Sequence, residues 1–210
     1  MLPSYYTVKG YGENEIEIER SRFIAHVGRA ETADEALEFI QKIKKIHSNA
    51  THNCSAYLIG ENDQIQKAND DGEPSGTAGV PILEVLKKKK LKDTVVVITR
   101  YFGGIKLGAG GLIRAYGRAA SEGLSAAGIV ERRLMNIMHI KVDYNWLGKL
   151  ENELRSSPFL LKEIHYLEKV EVEVYVEINQ TDIFINWATE ITNGQSEISR
   201  GKLHYLEEDK

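Results

Sequence analysis

The sequence predicts an α+β chain of two domains, one over residues 1–130 and one over residues 131–210. Three observations carry that expectation. Between residues 94 and 127 an apolar run, Val95 to Ile98, leads through a glycine-rich segment into a helical pattern. After Leu134 the order of elements reads β-α-β-β-α-β, the split βαβ or ferredoxin-like plan. Charge is also divided unevenly: residues 1–130 carry 17 Lys+Arg against 16 Asp+Glu, and the rest carry 10 against 15.

The first domain begins with residues 16–27, IEIERSRFIAHV, which alternate on either side of Arg20-Ser21 and predict two strands joined by a bend or tight hairpin. Thr32 with Glu35 forms a capping box for a helix whose apolar face is Ala36, Leu37, Ile40, Ile43 and Ile46. Lys42, Lys44 and Lys45 in its later turns suit the helix dipole. Residues 51–60, THNCSAYLIG, read as a strand, and Asn62-Asp63 turns the chain into a short partner around Ile65. The segment DDGEPSGTAG is too rich in turn formers for regular structure. Pro81 then suits the first turn of a helix through Ile82, Leu83, Val85 and Leu86, ended by the lysines at 87–90. The helix after the glycines is expected to bury Leu112, Ile113, Tyr116, Ala119, Ala120, Gly123, Leu124 and Ala127. Arg114 and Arg118 lie on its other side, read as first-turn cations that oppose the dipole.

In the second domain residues 135–142 read as a strand and 145–155 as a helix with Trp146, Leu147, Leu150 and Leu154 inward. Ser156-Ser157-Pro158 stops it. Strands at 159–166 and 170–178 follow, the latter alternating almost perfectly as VEVEVYVEI. A helix from Asp182 turns Ile183, Phe184, Trp187 and Ile191 inward, and residues 198–206 form a last strand. Two helices would cover one sheet face, so the other is expected to need a lid: the first domain or a protein partner.

The totals exclude several classes. With 42% apolar and 28% charged residues in 210, the chain has the makings of packed cores. A net charge of −4 argues against a protein that coats nucleic acid over its whole surface, but leaves room for a local basic patch in the first domain. The single cysteine, Cys54, rules out an intramolecular disulfide and a cysteine-rich zinc site. The N-terminus lacks the basic start and apolar core of a signal peptide. No stretch approaches the ~18 apolar residues of a membrane helix. A cytoplasmic location and no membrane partner are the expectations.

The strings DDGEPSGTAG and RYFGGIKLGAGGLIRAY, with His52 and Cys54 in ATHNCSAYLIG, resemble the signature of the IMPACT family, also called the YigZ-type family. The resemblance covers essentially the whole chain. Asn53 and Ser55 stand where a second histidine and a bulky residue are common in that pattern. The resemblance implies an N-terminal left-handed β-α-β domain similar to a fold shared by a small-subunit ribosomal protein, translocating elongation factors and small-molecule kinases. It implies a C-terminal ferredoxin-like domain similar to that of the elongation factors. Eukaryotic relatives act on translation by controlling a starvation-sensing kinase and carry an extra N-terminal protein-binding domain that this sequence does not show, so the resemblance does not extend that kinase role to it.

Candidate chemistry gathers in two stretches. Gly103, Gly104, Gly108, Gly110 and Gly111 supply backbone amides for an anion, and Arg100, Tyr101, Phe102, Lys106, Arg114 and Arg118 add charge and stacking surface. The loop lacks the Lys-Ser/Thr ending of a P-loop, and Ile113 holds the third glycine position of a dinucleotide fingerprint. No cofactor is therefore expected. Asp70, Asp71 and Glu73 are candidate acid/base groups or, with His52, ligands for a divalent cation. His52 and Cys54, i and i+2 on one strand, stand too far apart for a nucleophile and its base.

The expected function is a translation-associated, stress-linked regulatory or binding protein, holding RNA or a ribosomal or other anionic partner on the glycine loop. The alternative is a metal- or acid/base-assisted enzyme acting on a small phosphorylated or peptide substrate. A protein-interaction adaptor is a third reading.

Overall fold

A computed structural model describes residues 1–210. The chain divides into two compact units, Tyr5–Arg132 with Glu208–Lys210, and Met1–Ser4 with Arg133–Glu207. The larger unit contains β1 (Ser4–Val8, in part), β2 (Gly12–Ile18), β3 (Ser21–Arg29), α1 (Ala33–Ile46), β4 (His52–Ile59), β5 (Ile65–Asn69), α2 (Gly79–Lys88), β6 (Thr94–Tyr101) and α3 (Gly108–Ala127).

Its sheet runs β2-β3-β6-β4-β5, every neighbour antiparallel. Strand parity sorts the core into two layers. Phe23, Ala25, Val27, Cys54, Ala56, Val96 and Ile98 pack in the cluster that includes the buried faces of α2 and α3. Tyr57, Ile59, Val95 and Val97 pack on Ala36, Ile40 and Ile43 of α1. The central β6 is covered on both sides, which is why it reads as an unbroken apolar run. The bend at Arg20-Ser21 is a two-residue hairpin: Ile18 faces Ser21, and Glu19 and Arg20 both take positive φ (47° and 62°). That is the type I′ turn whose twist matches paired strands. Thr32 caps α1 as the pattern predicts, its hydroxyl accepting from Glu35 N at 3.2 Å.

Helical faces depart from the sequence reading in detail. Leu37 and Ile46 are exposed on α1, and on α3 Ile113 is exposed while Ala115 is buried in its place. Three of the five glycines, Gly108, Gly110 and Gly111, belong to the first turn of α3, so the connecting loop is shorter than the glycine spacing suggests. Arg114 and Arg118 consequently lie in the second and third turns, beyond the short reach of the helix dipole, and the argument from a broken dipole rule lapses.

The smaller unit holds most of β7 (Ile129–Val142), α4 (Tyr144–Arg155), β8 (Leu160–Tyr166), β9 (Val170–Glu177), α5 (Thr181–Ile191) and β10 (Glu197–Asp209). These strands run β10-β7-β9-β8, the ferredoxin-like order. Met138, Ile140, Val142, Val170, Val172, Val174 and Val176 form one core with Leu150, Leu154, Phe184 and Ala188 of the helices. Phe159 meets Phe184 edge-on at 4.9 Å. Ile183, expected inward, is exposed. The opposite sheet face is mixed: Ile137 and Tyr175, register partners, share it with Lys141, which pairs with Glu171, and with His139, whose Nδ1 lies near Glu171 and Glu173.

Two glycines of α3 give a stability test. A β-carbon at Gly123 would lie 2.6 Å from Ala25 Cβ, whereas one at Gly117 meets nothing within 4 Å. Gly117→Ala is expected to raise unfolding free energy in urea by about 0.5–1 kcal/mol. Gly123→Ala is expected to lower it by about 1–3 kcal/mol through overpacking.

Candidate functional site

The acidic segment before α2 divides its three carboxylates among three tasks. Asp70 turns back onto the start of α2: Oδ1 accepts from Ala78 N (3.1 Å) and Gly79 N (2.8 Å), and Oδ2 from Gly76 N (2.8 Å). Burial acts to raise its pKa, but these three donors together outweigh it and hold the carboxyl below its ordinary range. Asp71, with φ of +46°, accepts Lys44 Nζ at 2.6 Å on one oxygen and Asn53 N at 2.7 Å on the other. It ties α1 and β4 to the segment. Both aspartates are thus engaged in fixing backbone.

Glu73 goes inward. Only 8% exposed, it receives Arg100 Nη1 at 2.6 Å and the Tyr116 hydroxyl at 2.8 Å, both on Oε1. Its Oε2 lies 3.8 Å from His52 Nε2. His52 Nδ1 donates to the Asp71 carbonyl at 2.8 Å, which leaves Nε2 as the edge turned toward Glu73. Beneath them Cys54 Sγ lies 3.0 Å from the Asp70 carbonyl and 3.3 Å from Tyr116 Oη. Burial pushes the Cys54 thiol up to about 12 and the Tyr116 phenol further still, so neither ionises near neutrality.

Arg100 is therefore no rim cation. It is 5% exposed, and its guanidinium lies over the rings of Phe23 (5.3 Å) and Phe102 (5.5 Å). Its Nη2 donates to Ser21 Oγ, which also accepts from Gly103 N at 3.2 Å. Gly103 has no room for a side chain, since a β-carbon would fall 2.0 Å from the Arg20 carbonyl group. Gly104 follows with φ of +87°. The loop is thus clamped to the β2–β3 turn at one end and enters α3 at the other. Tyr101 belongs to the opposite sheet face, where its hydroxyl meets His47 Nδ1 at 3.0 Å.

What the loop presents outward is a groove of about 600 Å³ lined by Ile18, Glu19, residues 105–107, Gly111, Arg114, Ala115 and Arg118. Lys106, Arg114 and Arg118 are its cations and Glu19 its one acid. Arg118 has an exposed i,i+4 partner, Glu122, at 3.4 Å; Lys106 and Arg114 make no ion pair. No side chain caps α3, and its first turn carries no acid. Of the residues singled out in the sequence, the structure brings Lys106, Gly111, Arg114 and Arg118 together. It gathers Asp70, Asp71, Glu73, His52 and Arg100 in a second network, in which Glu73 and Arg100 are buried and the other three partly exposed. Ser21 and Lys44, read from the sequence only as a bend residue and a helix-dipole lysine, join this network, as does Phe23, the register partner of Arg100; strand parity carried a signal for Phe23 alone.

Comparison with known proteins matches the Impact N-terminal domain to residues 19–124 and a domain of unknown function, DUF1949, to residues 140–195. The chain is 71% identical over 207 residues to the IMPACT family member YvyE of Bacillus subtilis, covering 99% of this chain and 95% of that protein. To the IMPACT family member YigZ of Escherichia coli it is 34% identical over 137 residues, 64% of this chain and 67% of that one. A crystal structure of a hypothetical protein matches with a TM-score of 0.61 at 25% identity, covering 96% of this chain and 99% of that one.

The buried network has a measurable cost. Glu73→Ala leaves Arg100 buried without its counter-charge and is expected to lower unfolding free energy by about 3–5 kcal/mol. Asp70→Asn removes the charge and one of the two acceptor oxygens, and is expected to cost about 1–2 kcal/mol at pH 7, the difference between amide bonds to a charged and to a neutral group. Because the folded pKa of Asp70 lies below the unfolded one, its contribution is full above the carboxylate range and vanishes as pH falls through the folded value. Denaturant titrations at a series of pH values should therefore show the Asp70→Asn deficit closing in acid.

Proposed function

Since the chain belongs to the IMPACT family, we propose that its N-terminal unit is a binding module for a phosphate-bearing chain, single-stranded RNA exposed on the translation machinery in particular. The groove of Lys106, Arg114 and Arg118 beside the uncapped start of α3 is the observation that carries this reading. Backbone N–H groups at a helix start and cations four residues apart suit successive phosphates. The Arg118–Glu122 pair is exposed and worth at most about 1 kcal/mol, so a phosphate displaces it at small cost. Ile105, Leu107 and the half-exposed Phe102 offer apolar surface for a base. The sequence carries no RNA-recognition motif, helix-turn-helix or zinc finger, so recognition follows charge and single-strandedness.

Fluorescence anisotropy with a labelled single-stranded RNA, at several salt concentrations, tests the proposal. Three phosphate contacts predict a slope of log K against log salt of about −2. The Lys106→Ala/Arg114→Ala/Arg118→Ala variant should lose that slope and most of the affinity while melting like the parent. Absence of binding at low salt, or binding that survives the triple variant, would contradict it.

A further inference from the structure

We propose that the solvent face of the C-terminal sheet holds a zinc-type divalent cation on His139, Glu171 and Glu173. His139 of β7 is the register partner of Glu173 on β9, and Glu171 lies two residues along the same strand on the same face. Nδ1 of His139 stands 2.7 Å from Glu171 Oε1 and 3.8 Å from Glu173 Oε1, and the three ligand atoms lie within 4.8 Å of one another. Bonds of about 2.0–2.1 Å in a tetrahedron separate neighbouring ligand atoms by about 3.3 Å. The two edges from His139 bracket that value and the third is no longer than 4.8 Å, so side-chain adjustments of at most about 1.5 Å bring all three onto one ion.

The surroundings aim these atoms inward. Each carboxylate places its second oxygen against a lysine: Glu171 Oε2 lies 3.5 Å from Lys141 Nζ, and Glu173 Oε2 accepts from Lys162. Such outer partners orient ligands and leave Oε1 of each glutamate facing the imidazole. The far edge of the ring is fixed as well. Strand β10 passes so close that a β-carbon at Gly201 would fall 2.3 Å from His139 Nε2. An imidazole nitrogen with two carboxylate oxygens suits Zn²⁺ and its neighbours better than Mg²⁺ or Ca²⁺, which prefer all-oxygen sites. The fourth position stays open to water. Side chains exposed by only 14–24% shelter the site without sealing it.

A second triad, Glu163, His165 and Glu173, adjoins the first, with Glu173 Oε1 3.2 Å from His165 Nε2. Glu163 is more than half exposed, so its carboxylate is held less firmly, and the first triad is assigned the ion.

The full chain, stripped with a chelator, is titrated with Zn²⁺ by calorimetry and with Co²⁺ by visible absorption. One equivalent is expected, with the absorption of an ordered low-coordinate site and a melting temperature that rises with metal concentration. His139→Gln and Glu171→Gln should each weaken binding by about tenfold or more, and Glu163→Gln should not. All three positions lie on the solvent face, and circular dichroism of the metal-free variants checks that each folds. Failure to saturate at one equivalent, or binding unchanged in His139→Gln, would overturn the proposal. So would binding lost in Glu163→Gln and kept in Glu171→Gln, which would move the ion to the neighbouring triad.

Discussion

The constraint on which the N-terminal unit depends is the burial of one ion pair, Glu73 with Arg100. Charges taken out of water cost several kcal/mol each, and the loss is recovered only where geometry and extra hydrogen bonds are good. Here Tyr116 joins Arg100 on Glu73 Oε1, Ser21 takes the second guanidinium nitrogen, and Phe23 and Phe102 cover the guanidinium with their rings. Satisfying this pair requires the acidic segment, β3, β6 and α3 to meet in one arrangement. Because Ser21 also holds Gly103 N, the same network fixes where the loop leaves the sheet. The pair thus fixes the start of the loop whose later residues line the charged groove.

Asp70 and Asp71 extend this logic to the surface. Between Asn69 and Gly79 the chain makes few backbone bonds of its own, and buried amides left unpaired are costly. Asp70 supplies acceptors to three of them and Asp71 to Asn53. A segment rich in acids, glycine and turn formers is here a device for starting a helix after an irregular stretch. Asp70 and Asp71 are its fasteners.

Much of the fold was legible because the physics that made it is local. The alternation of β9, the Thr32 cap, a tight hairpin near Arg20 and the β-α-β-β-α-β order need only sequence-near information, although the turn itself falls one residue earlier, at Glu19-Arg20, than the Arg20-Ser21 bend expected. The site was less so. Arg100 looked like a rim cation beside glycines, yet it follows Val96 and Ile98 by twos and so points into the same core. Tyr101, one residue on, must point the other way. That signal was present and unread. The division of labour among Asp70, Asp71 and Glu73 was not in the sequence at all, since it depends on which distant amides and cations the folded chain brings near. The phase of α3 was legible, since seven of the eight residues expected inward are buried; only at the edge of the stripe does Ala115 take the place of the bulkier Ile113.

The proposed function rests on the groove at the start of α3 holding an anionic chain. Amide chemical shifts of the isotopically labelled full chain, followed as single-stranded RNA is added, test it at residue level. Perturbations concentrated at residues 105–111 and at Arg114 and Arg118, weakening with salt, are the predicted result. Shifts confined to the C-terminal sheet, or none at low salt, would contradict it.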